Sequence, residues 1–86
     1  MKWTKFREPY RAELIKEVIL EDNKGIVLSA DKENPVPGMI SHYGHKKIGR
    51  NNVKMYRFWP DAAPDESWEL SSNWFRLIRK AGGANG

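Results

Sequence analysis

The segment Val53-Lys54-Met55-Tyr56-Arg57-Phe58-Trp59 carries the strongest strand pattern in the chain. Aromatic and β-branched side chains favour extended backbone. Large apolar groups fall on both sides of its alternation, which predicts a central strand rather than an edge. Asn51-Asn52 before it suits a turn, and a further strand is expected around Met39–Tyr43, within Gly38–Ile48. Upstream, Glu21-Asp22-Asn23-Lys24-Gly25 reads as a hairpin loop with glycine in the left-handed position. Gly25-Ile26-Val27-Leu28-Ser29-Ala30 is its return strand, so a hairpin is predicted over Leu14–Ala30. Tyr10, Leu14 and Val18, with Ile15 and Ile19, also recur at helical spacing after Pro9. A helix over 9–20 is therefore the alternative.

Near the C-terminus, Trp68 and Leu70 alternate around Glu69 as in a short strand. Ser71 or Ser72 can then cap a helical turn. The turn leads into a last strand, Arg76–Ile78, or alternatively into a helix whose face holds Trp74, Leu77 and Ile78 and which stops at Gly82. Loops are expected at 31–38 and 60–67, where proline, glycine and acidic residues cluster. Residues 1–9 and 81–86 read as flexible ends of one small domain spanning 1–86.

This order of elements is a charged hairpin, a long loop, a central strand, an acidic turn, "Trp-Glu-Leu", a helical turn and "Arg-Leu-Ile". It resembles the closing half of SH3-like small β-barrels, over residues 13–79. The fold class is thus mainly β, or α+β: a small SH3-like barrel or strongly bent antiparallel sheet with a short C-terminal helical turn. Such barrels serve nucleic acids, peptides and enzyme subunits alike, so the resemblance leaves function open.

Size sharpens the picture. A chain of 86 residues buries only a little over roughly 60% of the surface its unfolded form exposes. Each aromatic therefore matters, and Tyr56, Phe58, Trp68 and Trp74 are assigned to the core. There is no cysteine, which removes disulfide scaffolds, Cys-based zinc fingers and thiol nucleophiles and fits a cytoplasmic setting. The longest apolar runs are too short for a membrane helix, and the N-terminus lacks the apolar stretch of a secretory signal. No membrane partner is expected.

The candidate chemistry lies between Asn34 and Pro60, where no acidic residue occurs. That stretch holds Lys46, Lys47, Arg50, Lys54 and Arg57, interleaved with Tyr43, Tyr56, Phe58 and Trp59 and flanked by His42 and His45. Cations meet phosphates and flat rings stack on bases, so the pattern points to nucleic acid. The alternative is a solvated basic loop. With two residues spent on the core, the functional claim narrows to a glycine-flanked loop, His42 to Arg50, plus Lys54. The nucleic-acid-binding candidates are His42, Tyr43, His45, Lys46, Lys47, Arg50, Lys54 and Trp59, with Tyr43 and Trp59 as stacking rings. Lys54 and Arg57 differ by an odd number and point to opposite faces of a regular strand. Arg76, Arg79 and Lys80 would add phosphate contacts if the C-terminus folds beside the loop.

His42 and His45 could share a metal only on a helix, which Gly44 disfavours, so no metal and no cofactor are assigned. Their protonation would add charge to a surface already basic. The acids form two clusters that read as solvated faces or turns, and no Ser–His–Asp order or phosphate-binding glycine loop occurs. No catalytic residue is assigned; an enzyme of this size would need a site shared across an oligomer. The second functional reading is a protein-interaction adaptor or homo-oligomer with Trp3, Phe6, Tyr43 and Trp59 as anchors.

Overall fold

The computed structural model describes residues 1–78. The expected flexible tail 81–86, and Arg79 and Lys80, lie outside the described residues. Strand accounts for 63% of the structure. The strands are β1 (Thr4–Leu14), β2 (Val18–Glu21), β3 (Val27–Ala30), β4 (Val36–Ile48), β5 (Asn51–Pro60), β6 (Trp68–Ser71) and β7 (Phe75–Leu77). The one helical element among the described residues is a 3-10 turn, Ser72–Trp74. The mainly β reading holds, and the helix considered for 9–20 does not form.

Five strands make an antiparallel sheet in the order β6-β5-β4-β1-β7, curled into a half-barrel. β2 and β3 form a separate hairpin. β5 lies between β4 and β6, as its two-sided apolar pattern predicts. The core follows from period-two alternation: Ala12 and Leu14 from β1, Val36 and Ile40 from β4, Tyr56 and Phe58 from β5 all point inward. Phe58 is fully buried, and its ring packs against Phe75 of β7 at 4.9 Å between centroids. Trp68 and Trp74, expected in the core, instead flank it half-buried. The 3-10 turn carries the chain from β6 at one edge of the sheet to β7 at the other, where it pairs with β1.

The hairpin expected over Leu14–Ala30 starts later, at Val18. Leu14 pairs with both Val36 and Phe75 and so belongs to β1. The Ile15 amide then donates to the Trp74 carbonyl at 2.9 Å, which helps hold the bend before β2. The predicted turn chemistry is present: Asp22 Oδ1 accepts from the amides of Lys24 and Ile26, both at 2.8 Å, and Gly25 has φ +90°. Leu20 and Ala30 enter the core, so the hairpin covers one part of the barrel. The Trp68 indole N–H donates to the Glu21 carbonyl at 3.4 Å, linking the hairpin to β6.

The loop expected at 31–38 ends earlier, because Val36, Pro37 and Gly38 pair with Leu14, Glu13 and Ala12. Within residues 1–9, expected as a flexible end, Thr4 and Lys5 pair with Tyr43 and His42. Among the described residues, no helix is long and apolar enough to cross a membrane.

Candidate functional site

The segment His42–Arg50 is not a loop. β4 continues to Ile48 and pairs residue by residue with β5, ending in Ile48↔Asn51. The connection is the dipeptide Gly49-Arg50. Gly49 has φ +61° and, among the described residues, no non-glycine residue has positive φ, the pattern of a type II′ turn with glycine first. The basic segment is therefore a two-stranded arm, and residues 45–52 along it are all exposed. Lys46, Lys47 and Arg50 ride on this arm, with Lys54 at its base.

Cross-strand register sorts the candidates onto two faces. Directly opposed residues share a face, and successive pairs alternate. Tyr43↔Tyr56, His45↔Lys54 and Lys47↔Asn52 lie on the face continuous with the barrel core. His42↔Arg57, Gly44↔Met55, Lys46↔Val53 and Ile48↔Asn51 lie on the outer face. A β-bulge between Ile40 and His42 sets this division, since two residues of β4 there oppose one of β5. Lys54 and Arg57 fall on opposite faces, as their odd spacing requires.

On the core-side face, Tyr43 is half-buried rather than open. Its ring lies 5.2 Å from that of Phe6, and the Lys54 ammonium sits 5.2 Å from its centroid. Lys54 is also 5.5 Å from the Tyr56 ring, so its stem covers the end of the aromatic cluster while its charge stays in solvent. His45 meets the edge of Tyr43 at 6.5 Å. A ring crowded in this way is a poor platform for a base.

The outer face is partly occupied. The Arg57 guanidinium stacks 4.8 Å over Trp3 and donates to Ser67 Oγ at 3.1 Å. Met1 and Lys2 lie against Gly44. Lys46 forms an ion pair with Glu69 at 3.5 Å. His42 Nδ1 is 2.8 Å from Ser41 Oγ, and that hydroxyl also accepts the Trp59 indole N–H at 2.8 Å. Trp59 lines a shallow groove with Pro9, Met39, Pro60 and Pro64. It stands five residues along β5 from Lys54, about 17 Å at roughly 3.3 Å per residue, and on the other face.

The structure thus gathers His45, Lys47 and Lys54 on one face, puts Arg50 at the tip, and separates His42, Lys46 and Trp59 from them. His42 and His45 point to opposite sides of β4. Asn52 is the residue that sequence reasoning missed: it was spent on a turn, whereas it pairs with Lys47 in the middle of the basic face. The available signal was Gly49-Arg50 between extended residues, which is itself a hairpin turn. Among the described residues no acidic side chain forms an ion pair with Lys47, Arg50 or Lys54.

The chain matches no protein-family model, and no curated protein or solved structure matches it either.

Proposed function

We propose that this chain is a small non-catalytic module that binds nucleic acid with low sequence specificity, using the basic β4–β5 arm. The observation that carries this reading is the exposure, on one acid-free hairpin, of Lys46, Lys47, Arg50 and Lys54. Phosphate neutralisation by such cations releases counterions, which favours binding and makes it salt-dependent. The order of elements supports an SH3-like barrel as the scaffold: β1, a hairpin excursion, the β4–β5–β6 meander, a 3-10 turn and β7 back on β1. On that scaffold the arm is the elongated hairpin between the first two strands of the meander.

The test is fluorescence anisotropy of a labelled oligonucleotide across a salt series. Each phosphate contact gives a slope of about −0.9 in log K against log salt, so up to four contacts give at most about −3.6, or a loss of up to roughly 150-fold between 50 and 200 mM. Replacing all four cations by Ala should abolish that slope while the circular dichroism spectrum stays that of the parent. No binding at 50 mM salt, or an unchanged slope in the fourfold variant, overturns the proposal.

A second reading, a protein-interaction adaptor, is favoured by the Trp59 groove with its three prolines and Met39. Trp3, Phe6 and Tyr43, the other anchors considered, are half-buried, so the groove alone supports it.

A further inference from the structure

We infer that the arm enters the major groove of duplex DNA and meets base edges with its core-side face, His45, Lys47, Asn52 and Lys54. This rests on the nucleic-acid reading above and narrows it to one substrate class. The first argument is shape. A two-stranded β-ribbon fits the B-form major groove, which is about 12 Å wide and 8.5 Å deep. From His45 to Ile48 and back from Asn51 to Lys54 the arm extends four residues beyond the last packed pair, Gly44↔Met55. At roughly 3.3 Å per residue that is about 13 Å, enough ribbon to lie along the groove with one face turned to its floor.

The second argument is chemistry. Every side chain on that face is a hydrogen-bonding group, and none is acidic. Lysine donates to guanine O6 and N7, and an asparagine amide matches adenine N6 and N7. The opposite face offers Ile48, Val53 and a single amide, Asn51 beside the turn, with Lys46 engaged by Glu69. It therefore has less to offer a base edge. Arg50 at the turn is placed for a phosphate on the groove wall. With one amide and two flexible lysines, base contact is limited, in keeping with low sequence specificity.

The third argument separates duplex DNA from other nucleic acids. Single-strand binding draws on open aromatic rings, and the arm has none: Tyr43 is crowded by Phe6 and Lys54, and Trp59 is on the far face. Double-stranded RNA presents a major groove too deep and narrow for side chains to read.

The experiment compares one sequence as duplex DNA, single-stranded DNA and double-stranded RNA at 100 mM salt, and adds dimethyl sulfate footprinting on the duplex. Duplex DNA should bind at least tenfold tighter than either alternative, with guanine N7 protected in the major groove. Asn52→Ala and Lys47→Ala should each cut the duplex preference severalfold, whereas Lys32→Ala, in the loop before β4, should not. Tighter binding of single strands or RNA overturns the inference but leaves the nucleic-acid reading standing. So does protection of adenine N3 in the minor groove without N7. Absence of binding to all three overturns both.

Discussion

Gly38 is the position at which the β4–β5 scaffold is least able to accept a larger residue. It lies on β4, one of the two strands that carry the arm, and pairs with Pro60 of β5 on one side and Ala12 of β1 on the other. A Cβ there would collide with the Trp59 carbonyl oxygen and stand 2.7 Å from Phe58 Cε1 and 2.8 Å from Pro60 Cα. Ordinary carbon contacts lie at about 3.5–4.0 Å, so relief needs a movement of roughly 1 Å. Two of the three obstacles are backbone atoms of β5, at residues that pair with β4 itself. The third is a ring with no exposed surface.

Overpacking of this kind costs about 1–3 kcal/mol, and a displaced Phe58 rotamer adds about 0.5–1.5 kcal/mol. Lower unfolded-state entropy returns about 0.4–1 kcal/mol. The net expectation for Gly38→Ala is a loss of about 2 kcal/mol. At about 4–8 °C per kcal/mol for a domain of this size, Tm should fall by roughly 8–16 °C, read by tryptophan fluorescence. Typical stabilities of about 0.05–0.15 kcal/mol per residue leave the variant folded at 25 °C. Its arm should then bind oligonucleotide as the parent does, since residues 45–54 are not displaced. Adding Phe58→Leu should not restore the loss, because the backbone obstacles remain. A Tm within about 2 °C of the parent would refute the reasoning.

Two further outcomes are expected. Arg11 grips Asp61 with two hydrogen bonds, at 2.9 and 2.6 Å, and chiefly these hold the Asp61 carboxyl below its ordinary value of 3.8. A lowered folded pKa means the pair stabilises fully above the unfolded pKa and loses its effect as pH falls through the folded one; both partners are over a third exposed, at 34% and 47%, so Asp61→Asn should cost no more than about 1 kcal/mol at pH 7, and urea midpoints of parent and variant should converge only below the ordinary carboxyl value of 3.8. Glu69→Gln should release Lys46 and raise oligonucleotide affinity about threefold at 50 mM salt, in line with a surface pair of about 0.2–1 kcal/mol, with the gain fading by 500 mM as charges are screened.

The fold was largely legible because its cues are local. Tyr56 and Phe58 alternate with Arg57 and Trp59, Asp22 and Gly25 encode a tight turn, and Trp68-Glu69-Leu70 alternates before two serines. Each of these acts within a few residues, so a linear reading captures it. Elements whose state depends on distant partners were harder to read. Residues 9–20 fit a helix or a strand by periodicity. Pairing of residues 10–14 with β4 and β7 decides the matter, since each edge of β1 finds a ladder and a helix there would leave one edge of β4, and the whole of β7, unpaired. Residues 1–3 carry no strand pattern, and their role, Met1 against Gly44 and Trp3 under Arg57, exists only once β4 and β5 are side by side.

The site was less legible than the fold, and the cause is one residue. Up to Ile40, even-numbered positions of β4 face the core: Val36, Gly38 and Ile40. Regular alternation would continue inward with His42, Gly44, Lys46 and Ile48, and would send Tyr43, His45 and Lys47 outward. The bulge at Ser41–His42 reverses the parity. Tyr43 then turns in against Phe6 and Tyr56, and Lys47 and His45 come to face the same way as Lys54. β5 has no compensating bulge among its pairings with β4, so its even positions keep their side throughout. The polar face His45, Lys47, Asn52 and Lys54 therefore exists because one strand slips by a residue and its partner does not. Ser41 marks the slip, and its hydroxyl there holds both the Trp59 indole N–H and the His42 ring. The bulge that takes Tyr43 out of use as a stacking ring is also what assembles the cationic face beyond it, and so the same local irregularity argues against a single-stranded ligand and for a groove.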